Sequence, residues 1–259
     1  MNCNRNIRKK RKELFLKLKE SGMDSIPIFI ISFNRLSYVS QAIEWLEKNG
    51  YKNIHIIDNA STYPPLLRYY SELPYQIHYL EKNLGYMAFW KSRLFDEYRN
   101  YFYVVSDPDL IPVAECPKDF LWHFASILKR FSNLNKVGFS LKIDDIPEDN
   151  KMKESIIKWE SEFYKRKFFF QNVYYAGIDT TFALYMPDSI NTSDSFYRGL
   201  RTGFPYQVKH LPWYKSEADI TEEDLYYSET KENGWWDVTK DSVSEEGSNT
   251  EAWKEINRK

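Results

Sequence analysis

The chain of 259 residues predicts an α/β fold with a mostly parallel central sheet flanked by helices. Three observations predict it. Residues 26–31, 54–57 and 101–105 are continuous apolar runs, the pattern of strands buried on both faces. Between the first two, Leu36, Val39, Ile43 and Leu46 recur at the spacing of an amphipathic helix. Each run ends in a polar cluster, and an open parallel sheet binds ligands beyond the carboxyl ends of its strands.

Each element follows from local pattern. The first strand has Pro27 near its start and passes into a loop at residues 32–35. Gly50 stands where a left-handed residue ends the next helix. The second strand runs into Asp58, Asn59, Ala60, Ser61 and Thr62, and Pro64 and Pro65 lead into a Leu/Tyr-rich helical turn. Residues 75–80 alternate, Asn83, Leu84 and Gly85 form a turn, and residues 86–99 predict one helix. The run at 101–105 ends at Ser106, Asp107, Pro108 and Asp109. Leu121, Phe124, Leu128 and Phe131 mark a further helix, ahead of a strand over residues 137–143 and the acidic turn Asp144 and Asp145. Residues 150–170 read as a Lys/Glu-rich helix or lid and residues 174–185 as a mixed apolar stretch. From about residue 217 the chain is acidic and bears Trp and Tyr, with a polar tail over residues 242–250.

Lys and Arg total 36 against 37 Asp and Glu, a net charge of −1, which excludes a nucleic-acid binder working through its overall field. Basic charge is local. Residues 1–20 hold eight Lys or Arg against Glu13 and Glu20, a charge of +6, with Leu14, Phe15 and Leu18 as an apolar edge. That is either a short amphipathic helix suited to anionic headgroups or a solvated arm. Residues 217–232 hold seven acids against Lys231, a charge of −6, which invites pairing with the basic arm. Cys3 and Cys116 are too few for a disulfide framework and fit a reducing, cytosolic setting. No apolar run reaches the roughly 18 to 20 residues that span a bilayer. Aromatic residues make up 17%, which suits sugar-stacking platforms or a biased composition, and Trp159, Trp213, Trp235 and Trp236 are the stacking candidates.

Asp107 and Asp109, stiffened by Pro108, can give a hard cation one direct ligand and one ribose or water-mediated contact, phosphate oxygens completing the shell. Taken alone, the same residues are also an ordinary turn or cap. The chain lacks the extra oxygen ligands and glycine of a calcium loop, the G-x-G-x-x-G of a dinucleotide site and a P-loop.

In order and rough spacing, Ser32, Phe33, Asn34 and Arg35 after the first run, Asp58 and Asn59 after the second, Asn83 to Gly85, and Asp107, Pro108 and Asp109 resemble bacterial GT-A nucleotide-sugar glycosyltransferases. The likeness is to the family-two-like, DxD-containing group and covers about residues 25–215. It implies a Rossmann-like GT-A domain with a nucleotide-binding half at about 25–115 and extra acceptor-side elements at 116–215. A basic arm, 1–24, and an acidic extension, 216–259, would flank it. By the same resemblance Ser32, Asn34 and Arg35 line the base pocket, Asp58 contacts base or ribose, and Asn83 lies at the nucleotide-sugar site or is only a helix-start turn. Asp107 and Asp109 would hold Mn²⁺ or Mg²⁺ and the diphosphate. His210 resembles the histidine that completes such metal sites, or serves local packing. Arg198 and Arg201 are candidates to neutralise the leaving diphosphate, or a solvated pair. Asp179 is the first candidate for the catalytic base and Asp145 the second, which binds acceptor otherwise. His55 and His123 read as structural.

The activity so implied is metal-dependent transfer of a hexose-type unit from a nucleotide-diphosphate donor, UDP-linked, to a saccharide or lipid-linked saccharide in surface polysaccharide synthesis. It would take place in the cytoplasm or at the inner membrane face, with peripheral contact through the N-terminal arm. The alternative is a non-catalytic binding module or membrane adaptor on the same fold. A nucleotidyltransferase would need a Gly-rich phosphate loop after the first strand, and none is present.

Overall fold

The computed structural model describes residues 2–168, 172–178, 180–189 and 199–231, with side chains from residue 9 onward. Its architecture is mixed α/β, a central sheet with helices on both faces, parallel through the half that carries the polar clusters.

That half is built from β1 (Ile28–Ser32), β2 (Ile54–Asp58), β3 (Gln76–Tyr79) and β4 (Tyr103–Ser106), ordered β3-β2-β1-β4 and all parallel. Alternation along β1 divides the core. Ile28 and Ile30 face one hydrophobic cluster, Phe29 and Ile31 the other, and Val104 parts from Tyr103 and Val105 in the same way. This two-sided burial is why the strands read as unbroken apolar runs.

On the first face pack α1 (Asn2–Ser21), α2 (Leu36–Lys48), α3 (Pro64–Glu72) and α6 (Phe120–Arg130), through Phe15, Val39, Leu66 and Phe124 among others. Gly50, at φ 87°, follows the end of α2 as expected. The second face carries α4 (Ala88–Lys91) and α5 (Leu94–Tyr98). The single helix expected over residues 86–99 is thus broken. Ser92 is extended and its hydroxyl bonds the Phe89 carbonyl at 3.1 Å, so Phe89 and Phe95 both enter the second cluster.

The other half of the sheet is mixed. A three-residue strand, β9 (Ala183–Tyr185), lies antiparallel between β4 and β6 (Lys136–Leu141) and joins the halves. Gly138 is required here: a Cβ would meet Ala183 and the Phe182 and Thr181 carbonyls at 2.8–2.9 Å. A twelve-residue strand, β10 (Gly199–His210), runs parallel to β6, with an irregularity between Thr202 and Gln207, and antiparallel to β8 (Val173–Ala176). Beyond β8 lies the short β7 (Lys167–Phe168). The last residues of β10 take β5 (Leu110–Pro112) as a second partner, with His210 opposite Leu110. The expected lid region holds α7 (Lys153–Glu160), and the apolar stretch at 174–185 is two strands, β8 and β9, rather than one.

Both charged ends depart from expectation. The apolar edge of α1 is used internally: Phe15 and Leu18 are buried, Phe15 against Phe102, and Arg11 reaches the Leu128, Phe131 and Leu134 carbonyls at and beyond the end of α6. The acidic stretch does not pair with this arm among the described residues. Its helix, α8 (Glu222–Thr230), lies against the loop between β1 and α2.

Candidate active site

Pairing brings the ends of β1, β2 and β4 to one edge, with Ser32 opposite Asp58 and Ser106 beside Ile30. Ser32 accepts from the Tyr70 hydroxyl at 2.8 Å. Asp58 is buried, and burial pushes its carboxyl up against the opposing hydrogen bonds of Ser61 and Tyr70. One Asp58 oxygen takes the Ser61 N–H at 3.2 Å and the other, Oδ1, has no partner. Asn59 ties this loop to Asn83 at 2.7 Å, and the Asn83 side chain accepts from the Gly85 N–H, so Asn83 shapes the turn.

Asn34 adopts φ 51°, a left-handed conformation that Asn tolerates. Its Oδ1 accepts the Thr62 and Tyr63 N–H groups and its Nδ2 donates to Thr230 of α8 at 2.9 Å. Asn34 is a clasp between loops and is fully buried.

Arg35 is likewise engaged. Its guanidinium pairs with Asp224 and lies 4.0 Å from the Tyr227 ring and 4.8 Å from the Tyr38 ring. Asp224 also takes Lys215 at 2.7 Å and caps its own helix through Thr221. Against the penalty of burial, the bonds from Lys215, Thr221 and Arg35 hold Asp224 down to about 2. Glu223 accepts the Ser37 N–H at 2.9 Å and the Ser37 hydroxyl at 2.5 Å, the capping group that α2 lacks in its own first turn. Sequence reading missed Glu223, Asp224 and Lys215. The capping pair Thr221 and Asp224 was a visible signal for the start of α8, though not for its partner.

Asp109 meets His210 because β5 pairs with the end of β10. Asp109 Oδ2 lies 3.3 Å from His210 Nε2, and the Leu211 N–H donates to the Asp109 carbonyl. The two side chains keep 21% and 14% exposure. Against burial, the neighbouring His210 and then Arg35 hold the Asp109 carboxyl below the usual carboxylate range. Asp109 Oδ1 and His210 Nδ1 are buried without partners, and the His210 ring meets the buried Trp213 edge-on at 4.7 Å. Asp107, by contrast, accepts from the Thr180 hydroxyl, and its N–H donates to the Thr180 carbonyl at 3.0 Å. Among the described residues no group of three or more His, Cys, Asp or Glu stands close enough to hold a metal ion by itself. One carboxylate with an unpartnered oxygen and one imidazole fit a hard cation that shares its shell with phosphate oxygens, not a closed protein cage.

Other candidates fall elsewhere. Arg201 is buried against Glu160, donates to the Gly177 carbonyl at 2.7 Å and lies 4.0 Å from the Phe163 ring. It is a strut of the core and presents no exposed face to a diphosphate. Asp145 is bonded by Lys209 at 2.8 Å and Tyr214 at 2.5 Å, which against burial hold it below the carboxylate range, a weak proton acceptor. Trp213 is buried and offers no stacking surface. His55 and His123 are structural: His55 Nδ1 is 3.0 Å from His78 Nε2, and His123 stacks on Tyr206 at 3.9 Å. Asp179, Arg198, Trp235 and Trp236 lie outside the described residues.

No family profile matches the sequence, and no curated protein matches it. Two solved structures resemble the chain. One is glucosyl-3-phosphoglycerate synthase from Mycobacterium tuberculosis in complex with phosphoglyceric acid, at 13% identity and TM-score 0.38, over 62% of this chain and 56% of that one. The other is TarS 1–349 of S. aureus, at 13% identity and TM-score 0.41, over 89% and 78%. The chain spans little more than half of the first. Likeness at this level assigns no residue role, so the roles rest on this chain's own geometry.

Proposed function

We propose that the chain is a glycosyltransferase that moves a hexose-type unit from a nucleotide-diphosphate donor, UDP-linked, to a saccharide or lipid-linked saccharide. The observation that carries the reading is the pairing of Asp109 with His210 at the carboxyl edge of a parallel sheet, beside the buried polar ends of β1 and β2. Asp109 and His210 would hold Mn²⁺ or Mg²⁺, with Asp107 fixed by Thr180 just upstream. A cation bound there supplies positive charge against the departing diphosphate.

The remaining work belongs to the chain's own groups. Asp109 is held ionised, so it serves as a permanent acceptor. The unpartnered Asp58 Oδ1 and the neighbouring Ser32 suit a ribose or base edge. Asp179 is the proposed base for the acceptor hydroxyl; the next residue, Thr180, binds Asp107, and the rival Asp145 is already neutralised by Lys209. Cytoplasmic work at an anionic membrane face, through the lysines of α1, is part of the same proposal.

Calorimetry with UDP, GDP, CDP and dTDP, each with Mn²⁺ and with EDTA, tests it. One nucleotide should bind only with Mn²⁺, and Asp109→Ala should weaken that binding about 100-fold or more, the scale of losing a charged ligand. Failure of all four to bind the folded protein overturns the reading. Asp179→Asn should abolish sugar transfer and leave nucleotide binding intact; transfer at the native rate removes Asp179 from the role.

A further inference from the structure

Tyr79 and Tyr101, each 62% exposed, are the barest of the large apolar and aromatic side chains among the described residues. Their places differ. Tyr101 lies just ahead of β4, at the amino end of the parallel strands, whereas Tyr79 is the last residue of β3, at their carboxyl end. Register fixes the neighbours of Tyr79. Ser32 pairs with Asp58 and Asp58 with Tyr79, so the three form one row across the ends of β1, β2 and β3. Their side chains share a face, since Ile30, Ile56 and Ile77, two residues before each, all meet the first hydrophobic cluster.

Tyr70 of α3 ties the row together. Its hydroxyl bonds Ser32 at 2.8 Å, and its ring meets that of Tyr79 at 6.3 Å and 73°, edge to face. The Leu80 N–H, donating to the Asp58 carbonyl at 2.9 Å, holds the end of β3 against β2. The Tyr79 ring is thus propped from one side and bare over the rest. Folding gains little from a ring so exposed on an edge strand. A planar apolar surface beside the polar ends of β1 and β2 suits a heterocyclic base, which stacks on it. Three strand spacings, about 14 Å, separate the ends of β3 and β4, the scale of a nucleoside diphosphate from base to terminal phosphate.

We propose that Tyr79 is the stacking residue for the nucleobase of the donor, holding it by ring contact at the end of β3 while the diphosphate lies at Asp109 and His210. The assignment rests on the reading under Proposed function and adds to it a residue from the edge of the sheet. Every base has a face to stack, so Tyr79 supplies affinity and leaves the choice of base to other groups. Tyr70 acts at one remove: it props the ring.

Tyr79→Ala removes the ring and Tyr79→Phe keeps it. Both variants and the parent, as full chains, are compared by calorimetry with UDP, GDP, CDP, dTDP and inorganic pyrophosphate, each with Mn²⁺, and by thermal melting without ligand. Pyrophosphate carries the diphosphate without a base. The expected result is about tenfold or greater loss of affinity in Tyr79→Ala for whichever nucleotide binds, and parental affinity in Tyr79→Phe. Pyrophosphate should behave identically toward all three proteins, and their melting temperatures should agree. Undiminished nucleotide affinity in Tyr79→Ala overturns the assignment while leaving the glycosyltransferase reading in place. The same holds if Tyr79→Phe loses as much as Tyr79→Ala, if pyrophosphate loses as much as the nucleotide, or if the loss comes with a lowered melting temperature. Binding of no nucleotide to the parent overturns both.

Discussion

Arg35 and Arg201 were both candidates to face a ligand, and each instead closes a buried ion pair, with Asp224 and Glu160 respectively. For Arg201 the consequence is measurable. Arg201→Ala removes the guanidinium that pairs with Glu160, 3% exposed, and should lower stability by about 3 kcal/mol in urea denaturation. Nucleotide affinity of the protein that remains folded should be unchanged; a large loss of affinity without loss of stability would restore Arg201 to the site. Asp109→Ala should fall chiefly on nucleotide affinity, since it removes one contact, to His210, and an Oδ1 that has no partner. Sequence could not separate these cases. An arginine just after an apolar run reads identically whether its partner is a ligand or an aspartate nearly two hundred residues away. Asp109 could be nominated from sequence because its neighbours carry the pattern.

At the level of elements, β1, β2, β4 and α2 were legible because burial on both sheet faces leaves an unbroken apolar run and a one-sided helix leaves a period. β10 was not, since its sequence includes Arg201, Gly203, Pro205 and Lys209 and its partners change along its length. α8 was hidden by its acidity, which described a charge and not the two cations that receive it. Titration ties two pairs of elements to pH. Burial, and then His78, lowers His55 on β2 to about 4 from its ordinary 6.5. Protonation therefore favours the unfolded chain. The stability this pair provides is complete above pH 6.5 and is lost as pH falls toward 4, by about 2–3 kcal/mol at most. Urea midpoints at pH 7 and pH 4.5 should differ less in His55→Leu than in the parent. Asp224, held near 2, contributes stability that is present above its ordinary 3.8 and disappears as pH falls through 2. The α8 clasp should thus outlast the β2–β3 histidine pair during acid titration, and amide exchange at Ser37 against strand β3 would show the order.

Across the whole molecule, charge is segregated: α1 turns Lys9, Lys10, Lys12, Lys17 and Lys19 outward with Leu16, 51% exposed, among them. Because Phe15 and Leu18 are committed to the core, the hold that the described face of α1 offers a bilayer is chiefly electrostatic, with Leu16 its one exposed large apolar side chain. Cosedimentation with vesicles containing anionic lipid should be seen at low salt and vanish at 1 M, where the screening length is about 3 Å. Retention at 1 M salt would show that something other than this lysine face binds. β9 sets a different kind of limit. Only three residues long, it must be present before β6 can join β4, and Asp109 waits about a hundred residues for His210. During synthesis, then, the four parallel strands emerge and pair while the edge of β4 is still bare, and the acidic centre of the site stands alone until the chain has passed residue 210. On the reading proposed above, a chain ended short of residue 210 should therefore fail to bind nucleotide.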